Sequence, residues 1–226
     1  MNAGAVIVCA GSSRRLGNID KPVFKLGDNP LFYHSFKAFA GIKEIKEIVL
    51  VLREKHLKQA KELIPPRYRN KRVLFVCGGR QRCHSVYNGL VSLGKKTEYV
   101  LIHDGARPFV SRKLIRRILG ELVKHPAVIC GIEVGDTVKK VEAGFVSRTL
   151  ERSRLFSIQT PQAFKKDLIL GAYKKLRGGK VFDDSQVLEM RGEKIKVIAG
   201  DRFNIKITYP QDIVLAKAIY RRGKFN

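Results

Sequence analysis

Apolar residues along this chain fall into two alternating patterns. Short unbroken runs read as strands buried on both faces, and stretches with apolar positions every three or four residues read as amphipathic helices. The first run, residues 3–9, breaks into the small and polar loop 10–17. Helical spacing follows over 30–39, a strand over 47–52, and a helix over 54–63 that stops at Pro65-Pro66. A strand over 72–77 ends on Gly78-Gly79, and 81–93 is helical again. Residues 99–103 form a fourth strand, 112–124 a helix and 127–134 a fifth strand. This order predicts an α/β fold with a largely parallel sheet and helices on both faces. Ligands of such sheets gather at the carboxyl ends of the strands.

The rhythm breaks after residue 135. Residues 137–142 and 145–150 alternate polar and apolar positions around Ala143-Gly144, the pattern of a β-hairpin. Neither strand has a continuous apolar face, so the hairpin is expected to project, either exposed or, as favoured here, covered by a second subunit. The tail returns to α/β, with helices expected over 165–176 and 183–191, strands over 195–198 and 204–208, and a helix over 210–221. No repeat, linker or low-complexity stretch divides the chain, so 1–226 is read as one domain.

Composition narrows the class. Hydrophobic residues make up 44%, a globular value, and the apolar runs are too short to span a bilayer. With no secretory leader apparent, a cytoplasmic location is expected. The four cysteines show no CxxC pairing, and Cys9 and Cys130 lie in strand-like runs, which suits buried thiols better than metal or disulfide chemistry. With 45 Lys+Arg against 20 Asp+Glu, the formal charge is +25. That field attracts anions without saying which.

Three segments carry candidate chemistry. The loop Ala10-Gly11-Ser12-Ser13-Arg14-Arg15-Leu16-Gly17, with Lys21 and Lys25 beyond it, follows the first strand. Small residues there let backbone N–H groups approach a phosphate, and the basic side chains add charge. It is neither a P-loop nor a GxGxxG fingerprint. His103-Asp104-Gly105-Ala106-Arg107-Pro108 closes the fourth strand, and an aspartate in that place suits either Mg²⁺ or a turn. Asn204-Ile205-Lys206-Ile207-Thr208 sets one lysine among isoleucines, which points either outward or toward the phosphates. The adjacent pair Asp183-Asp184 reads as a helix cap and a first-turn acid, and the five histidines form no ligand spacing.

Together with Gly78-Gly79 before Arg82 and Ser85, Asp136-Thr137-Val138-Lys139 and Thr160-Pro161-Gln162, these segments run in one order from about residue 3 to 218. In this they resemble the 2-C-methyl-D-erythritol 4-phosphate cytidylyltransferases of the non-mevalonate isoprenoid pathway. The resemblance implies a three-layer, mostly parallel sheet of Rossmann-like type, with a β-arm at about 136–159 that interlocks a homodimer. It implies CTP and methylerythritol phosphate as substrates, with Mg²⁺ or another hard divalent cation. Arg15 and Lys21 would steady the α-phosphate, Asp104 would hold the metal and help seat substrate, and Lys206 would face the phosphates. Ala10, Gly11, Gly79 and Ser85 would line the cytidine pocket, while Thr137 and Arg152 would reach into the partner's site.

Three positions depart from the pattern. Lys21 is followed by Pro22 where Pro-Lys-Gln is usual, which leaves Lys25 as a substitute. Arg80 stands where an acid is common, and Phe182 replaces a threonine before the acidic pair. Two other readings stay open at this point. One is a ribitol 5-phosphate cytidylyltransferase with the same phosphate machinery. The other is a basic RNA-binding module, although no RRM-type or KH-type motif is present and neither nucleic acid nor membrane is the expected partner.

Overall fold

In the computed structural model, residues 1–11, 14–16, 20, 23–65, 68, 71–176 and 181–223 are described, Arg14 by its backbone alone. Seven strands form the main sheet: β1 (Ala3–Val8), β4 (Ile45–Leu52), β5 (Arg72–Cys77), β6 (Tyr99–Asp104), β7 (Ala127–Glu133), β10 (Phe156–Lys165) and β11 (Lys196–Ala199). Their spatial order is β11-β7-β10-β6-β1-β4-β5. β1 pairs in parallel with β4 and β6, β4 with β5, and β11 with β7. β10 runs antiparallel between β6 and β7.

The continuous apolar runs follow from burial on both faces. Along β1, Ala3, Ala5 and Ile7 enter one core with Phe32, Phe36, Leu114 and Ile118. Val6, pointing the other way, packs with Val86, Leu90, Ile169 and Tyr173. Helices α1 (Leu31–Ala40) and α4 (Arg112–Leu122) therefore cover one face, and α3 (Arg82–Ser92) and α5 (Lys166–Lys174) the other. α2 (Glu54–Leu63) packs beside β5.

A third, smaller core holds the first loop against the tail. Leu16 packs with Leu26, Leu31, Phe109, Ile207, Ile213 and Ile219. It joins the short hairpin β2 (Lys25–Leu26) and β3 (Asn29–Pro30) to α7 (Pro210–Arg221). Arg15 and Lys206, each one residue from a member of this core, are thereby carried on elements that pack together.

The hairpin at the arm forms as its alternation predicts, with β8 (Val138–Glu142) antiparallel to β9 (Phe145–Leu150). Ala143 and Gly144 both have positive φ, 50° and 87°, as a tight two-residue turn requires. The expected extent of 136–159 needs correction, because from Phe156 the chain is already in the main sheet, opposite Glu133.

Two tail elements also differ. Residues 204–208 are not a strand but an irregular segment, in which Ile207 N donates to Ala106 O at 2.9 Å. The helix expected over 183–191 shrinks to α6 (Gln186–Glu189). Its acids are spent on the turn before it: Asp183 accepts from Gln186 N at 3.0 Å, and Asp184 is drawn into the interior.

Candidate active site

The loops after β1, β5 and β6 lie at the same, carboxyl end of these parallel strands. Gly105 N donates to Val8 O, and Gly78 N to Leu52 O. Gly78 is required there by space, since a methyl group on it would collide with the Cβ of Ala10. Next to it, Gly79 N donates to Ser85 Oγ at 3.1 Å, and Ser85 Oγ donates to Gln81 O at 3.2 Å. The buried Ser85 hydroxyl thus shapes the glycine turn. Ala10 is half-buried and Gly11 exposed, so the mouth of this cleft is backbone and small side chains.

Asp104 ends β6 and is buried. Its Oδ2 takes a bond from Lys206 Nζ at 2.6 Å, and its Oδ1 one from Arg82 Nε at 3.1 Å. Burial by itself would raise the carboxyl pKa. Arg82 and Lys206 outweigh it and hold Asp104 well below the usual carboxylate range. The backbone is fixed as well, with Asp104 N donating to Thr160 Oγ1 at 3.0 Å. Arg107 O can only accept, so His103 Nε2 carries the ring proton and donates to it at 3.1 Å, and the bare Nδ1 accepts from the Thr160 hydroxyl, also at 3.1 Å. Burial pushes His103 down to about 4, and its neutral form satisfies both ring nitrogens.

Lys206 reaches this carboxylate because its segment is pinned at several points. Asn204, fully buried, donates from Nδ2 to Thr160 O at 2.8 Å. Arg107 Nη1 donates to Asn204 O at 2.7 Å, and Asp212 accepts from Thr208 N and Tyr209 N at 2.7 and 2.8 Å. Arg15 lies exposed, its guanidinium 5.4 Å over the ring of Tyr209 on the same segment.

The structure therefore places Asp104 on Lys206, Gly79 on Ser85 and Ala10 beside Gly78, with Arg15 against Tyr209, three residues beyond Lys206. Lys21 lies outside the described residues, and Lys25 is exposed on β2. Thr137 and Arg152 are exposed at the arm's base, where Arg152 Nη1 donates to Gly135 O at 2.7 Å. Among the described residues, no hydrogen bond or ion pair joins either of them to Asp104. Sequence reasoning missed the buried Asp184, which takes both Nη groups of Arg82 at 2.8 and 2.6 Å. Two adjacent acids where one cap suffices was the available signal.

No group of three His, Cys, Asp or Glu side chains able to hold a metal occurs among the described residues. Asp104 alone fits Mg²⁺ in another way. With one bond accepted per carboxylate oxygen, each keeps a free lone pair, and Mg²⁺ commonly takes one carboxylate plus phosphate oxygens and water. The thiols of Cys9 and Cys130 are buried, and burial pushes the latter up to about 12, so neither offers a ready thiolate.

An ionised carboxylate between two cations, beside small-residue loops at the carboxyl ends of parallel strands, suits the phosphates of a nucleotide and is the kind of arrangement a nucleotidyltransferase needs. The comparison with known proteins makes this specific: a profile described as "IspD: 2-C-methyl-D-erythritol 4-phosphate cytidylyltransferase" matches residues 3–222, and the chain belongs to that family. A protein of that name from Bacillus cereus is 39% identical over 222 residues, covering 97% of this chain and 98% of its own. Another from Geobacillus thermodenitrificans is 40% identical over 223 residues, covering 97% of each. The crystal structure of 4-diphosphocytidyl-2C-methyl-D-erythritol synthase from Anaerococcus prevotii is similar at TM-score 0.86 and 35% identity, over 98% of this chain and 99% of that one.

Proposed function

We propose that the chain performs its family's reaction on a triphosphate site built around Asp104, Lys206 and Arg15. It transfers a cytidylyl group from CTP to 2-C-methyl-D-erythritol 4-phosphate, a step of isoprenoid precursor biosynthesis. A phosphate oxygen of the acceptor attacks the α-phosphorus, the bond to the β-phosphate oxygen breaks, and pyrophosphate leaves. The products are 4-diphosphocytidyl-2-C-methyl-D-erythritol and pyrophosphate. Such transfers ask the protein for position and charge more than for covalent chemistry.

The observation that carries this reading is the Lys206–Asp104 contact of 2.6 Å at the end of β6. It keeps a cation and an anion poised together, half open to the cleft. Asp104 would hold a Mg²⁺ that neutralises triphosphate charge. Lys206 faces the same phosphates, and Arg15 steadies the α-phosphate from the first loop. Lys21 joins Arg15 on the strength of the sequence resemblance. Ala10, Gly11, Gly79 and Ser85 line the cytidine cleft, Ser85 by holding the turn.

The acceptor site is completed by Thr137 and Arg152 from the arm of a second subunit. Exposed Val141, Phe145 and Val146 on the arm support a homodimer, because apolar side chains this open are commonly covered by a partner. The catalytic unit is the whole chain with its arm. Among the described residues no helix is long and apolar enough to cross a membrane. We place the enzyme in the cytoplasm, where its four free thiols stay reduced.

Pyrophosphate release with CTP and Mg²⁺ tests the reading. Methylerythritol phosphate is expected to support turnover and ribitol phosphate to be a poor acceptor. Preference for ribitol phosphate would refute the assigned substrate.

A further inference from the structure

Asp104 is held from one side by Lys206 and from the other by Arg82, and the aim of Arg82 depends on a residue deeper in the molecule. Asp184 is fully buried and accepts both Nη groups of Arg82. It accepts a third bond, at 2.6 Å, from the Tyr173 hydroxyl. Its own backbone is tied down, since Asp184 N and Ser185 N both donate to Gln162 Oε1, at 3.0 and 2.9 Å. Gln162 sits on β10 opposite Ile102 of β6, two residues before Asp104. The buried acid is thus fastened to the strand pair that carries the site's carboxylate.

A guanidinium is a rigid planar fork. With both Nη groups held by Asp184, the Nε edge of Arg82 has one direction left, and Asp104 Oδ1 lies there at 3.1 Å. A buried ion pair is a poor stabilising device by itself, because apolar groups of the same shape often serve as well or better. The series Asp184, Arg82, Asp104, Lys206 alternates in sign and ends at the cleft.

We infer that Asp184 is a positioning residue: through Arg82, and with Tyr173 fixing its own rotamer, it sets the orientation of the Asp104 carboxylate toward the metal and triphosphate. This rests on the reading of Asp104 given under the proposed function. Neither Asp184 nor Tyr173 touches the reacting atoms. Their loss acts by letting Arg82, and then Asp104, turn.

Three variants test this: Asp184→Asn, Tyr173→Phe, and the double change Arg82→Gln with Asp184→Asn. Wild-type turnover tests the function reading. Variant-to-wild-type ratios in the Mg²⁺ midpoint, and in CTP affinity measured by calorimetry with Mg²⁺, test the inference. Asp184→Asn is expected to lower kcat about thirtyfold and to raise the Mg²⁺ midpoint and the CTP Kd about fivefold. Tyr173→Phe, which keeps the ring packing, moves all three the same way by about threefold with an unchanged circular dichroism spectrum. The double variant removes the buried charge together with its partner, so it regains melting temperature but neither kcat nor Mg²⁺ midpoint. Tyr173→Phe with wild-type kcat and Mg²⁺ midpoint overturns the inference, and so does a double variant that recovers activity along with stability. A wild type that binds CTP with this dependence on Asp184, yet releases no pyrophosphate, sinks the function reading alone.

Discussion

Asp104 stays ionised inside the protein because Arg82 and Lys206 share it, so removing its charge leaves Lys206 without its carboxylate and Arg82 with Asp184 alone. Breaking one partner from a buried set of this kind costs about 3 kcal/mol. Asp104→Asn is therefore expected to lose that much in urea melts, together with at least about a hundredfold in pyrophosphate release. Arg15→Ala separates the two effects. Arg15 is exposed and touches the Tyr209 ring, so the variant should melt like wild type while its kcat falls about a hundredfold. Near-normal turnover would remove Arg15 from the mechanism.

His103 makes a separate claim about pH. It binds a proton near 6.5 when unfolded but only at about 4 when folded, because burial disfavours the imidazolium. Between these values the unfolded chain binds more protons, so stability is full above 6.5 and is lost as pH falls toward 4, by up to about 3 kcal/mol. His34 is also lowered by burial and adds to the same slope. Urea melts of metal-free protein from pH 7 to 4.5 should show this fall, and His103→Gln should flatten it without abolishing it. An equal slope in both proteins would mean that His103 is not held neutral by the fold.

Among the elements, the central strands β1, β4, β6 and β7 were legible because each is largely buried on both faces and so reads as an apolar run. β10 was not. Pro161 interrupts it, and a proline inside a run argues against a central strand. It is tolerated at the register shift between Gln159 and Ala163. Gln159, Thr160 and Gln162 are buried to hold Asp201, His103 and Asp184, so their burial leaves no apolar signature. For the same reason residues 204–208 mimicked a strand: Ile207 is buried by a local core, not by a ladder. The pairing of Arg82 with Asp184 spans 102 positions, beyond the reach of local pattern. What was legible of the candidate site was its strand-end residues, Asp104 and the Gly78-Gly79 turn. The close contact of Gly78 with Ala10 can be tested directly. Gly78→Ala should push the loops after β1 and β5 apart and raise the KM for CTP about tenfold, with a smaller effect on kcat. Unchanged CTP kinetics would place the nucleotide elsewhere.

For the whole molecule, the arm decides whether one chain is a complete enzyme. If Arg152 serves the partner's site, inactive Arg15→Ala subunits mixed with inactive Arg152→Ala subunits should recover about a quarter of wild-type activity. Random pairing makes half the dimers mixed, and each mixed dimer holds one intact site. No recovery after proven subunit exchange would assign each site to a single chain. The +25 charge adds a field that draws CTP and the acceptor toward the protein, but a net charge does not choose the place where they react. That choice falls to the few cations held in fixed geometry. The most direct measurement is a crystal structure with CTP and Mg²⁺ bound. The triphosphate is expected between Asp104 and Lys206 on one side and Arg15 on the other, with the base over Gly79. A triphosphate bound away from Asp104, with the Lys206 contact unchanged, would contradict the account.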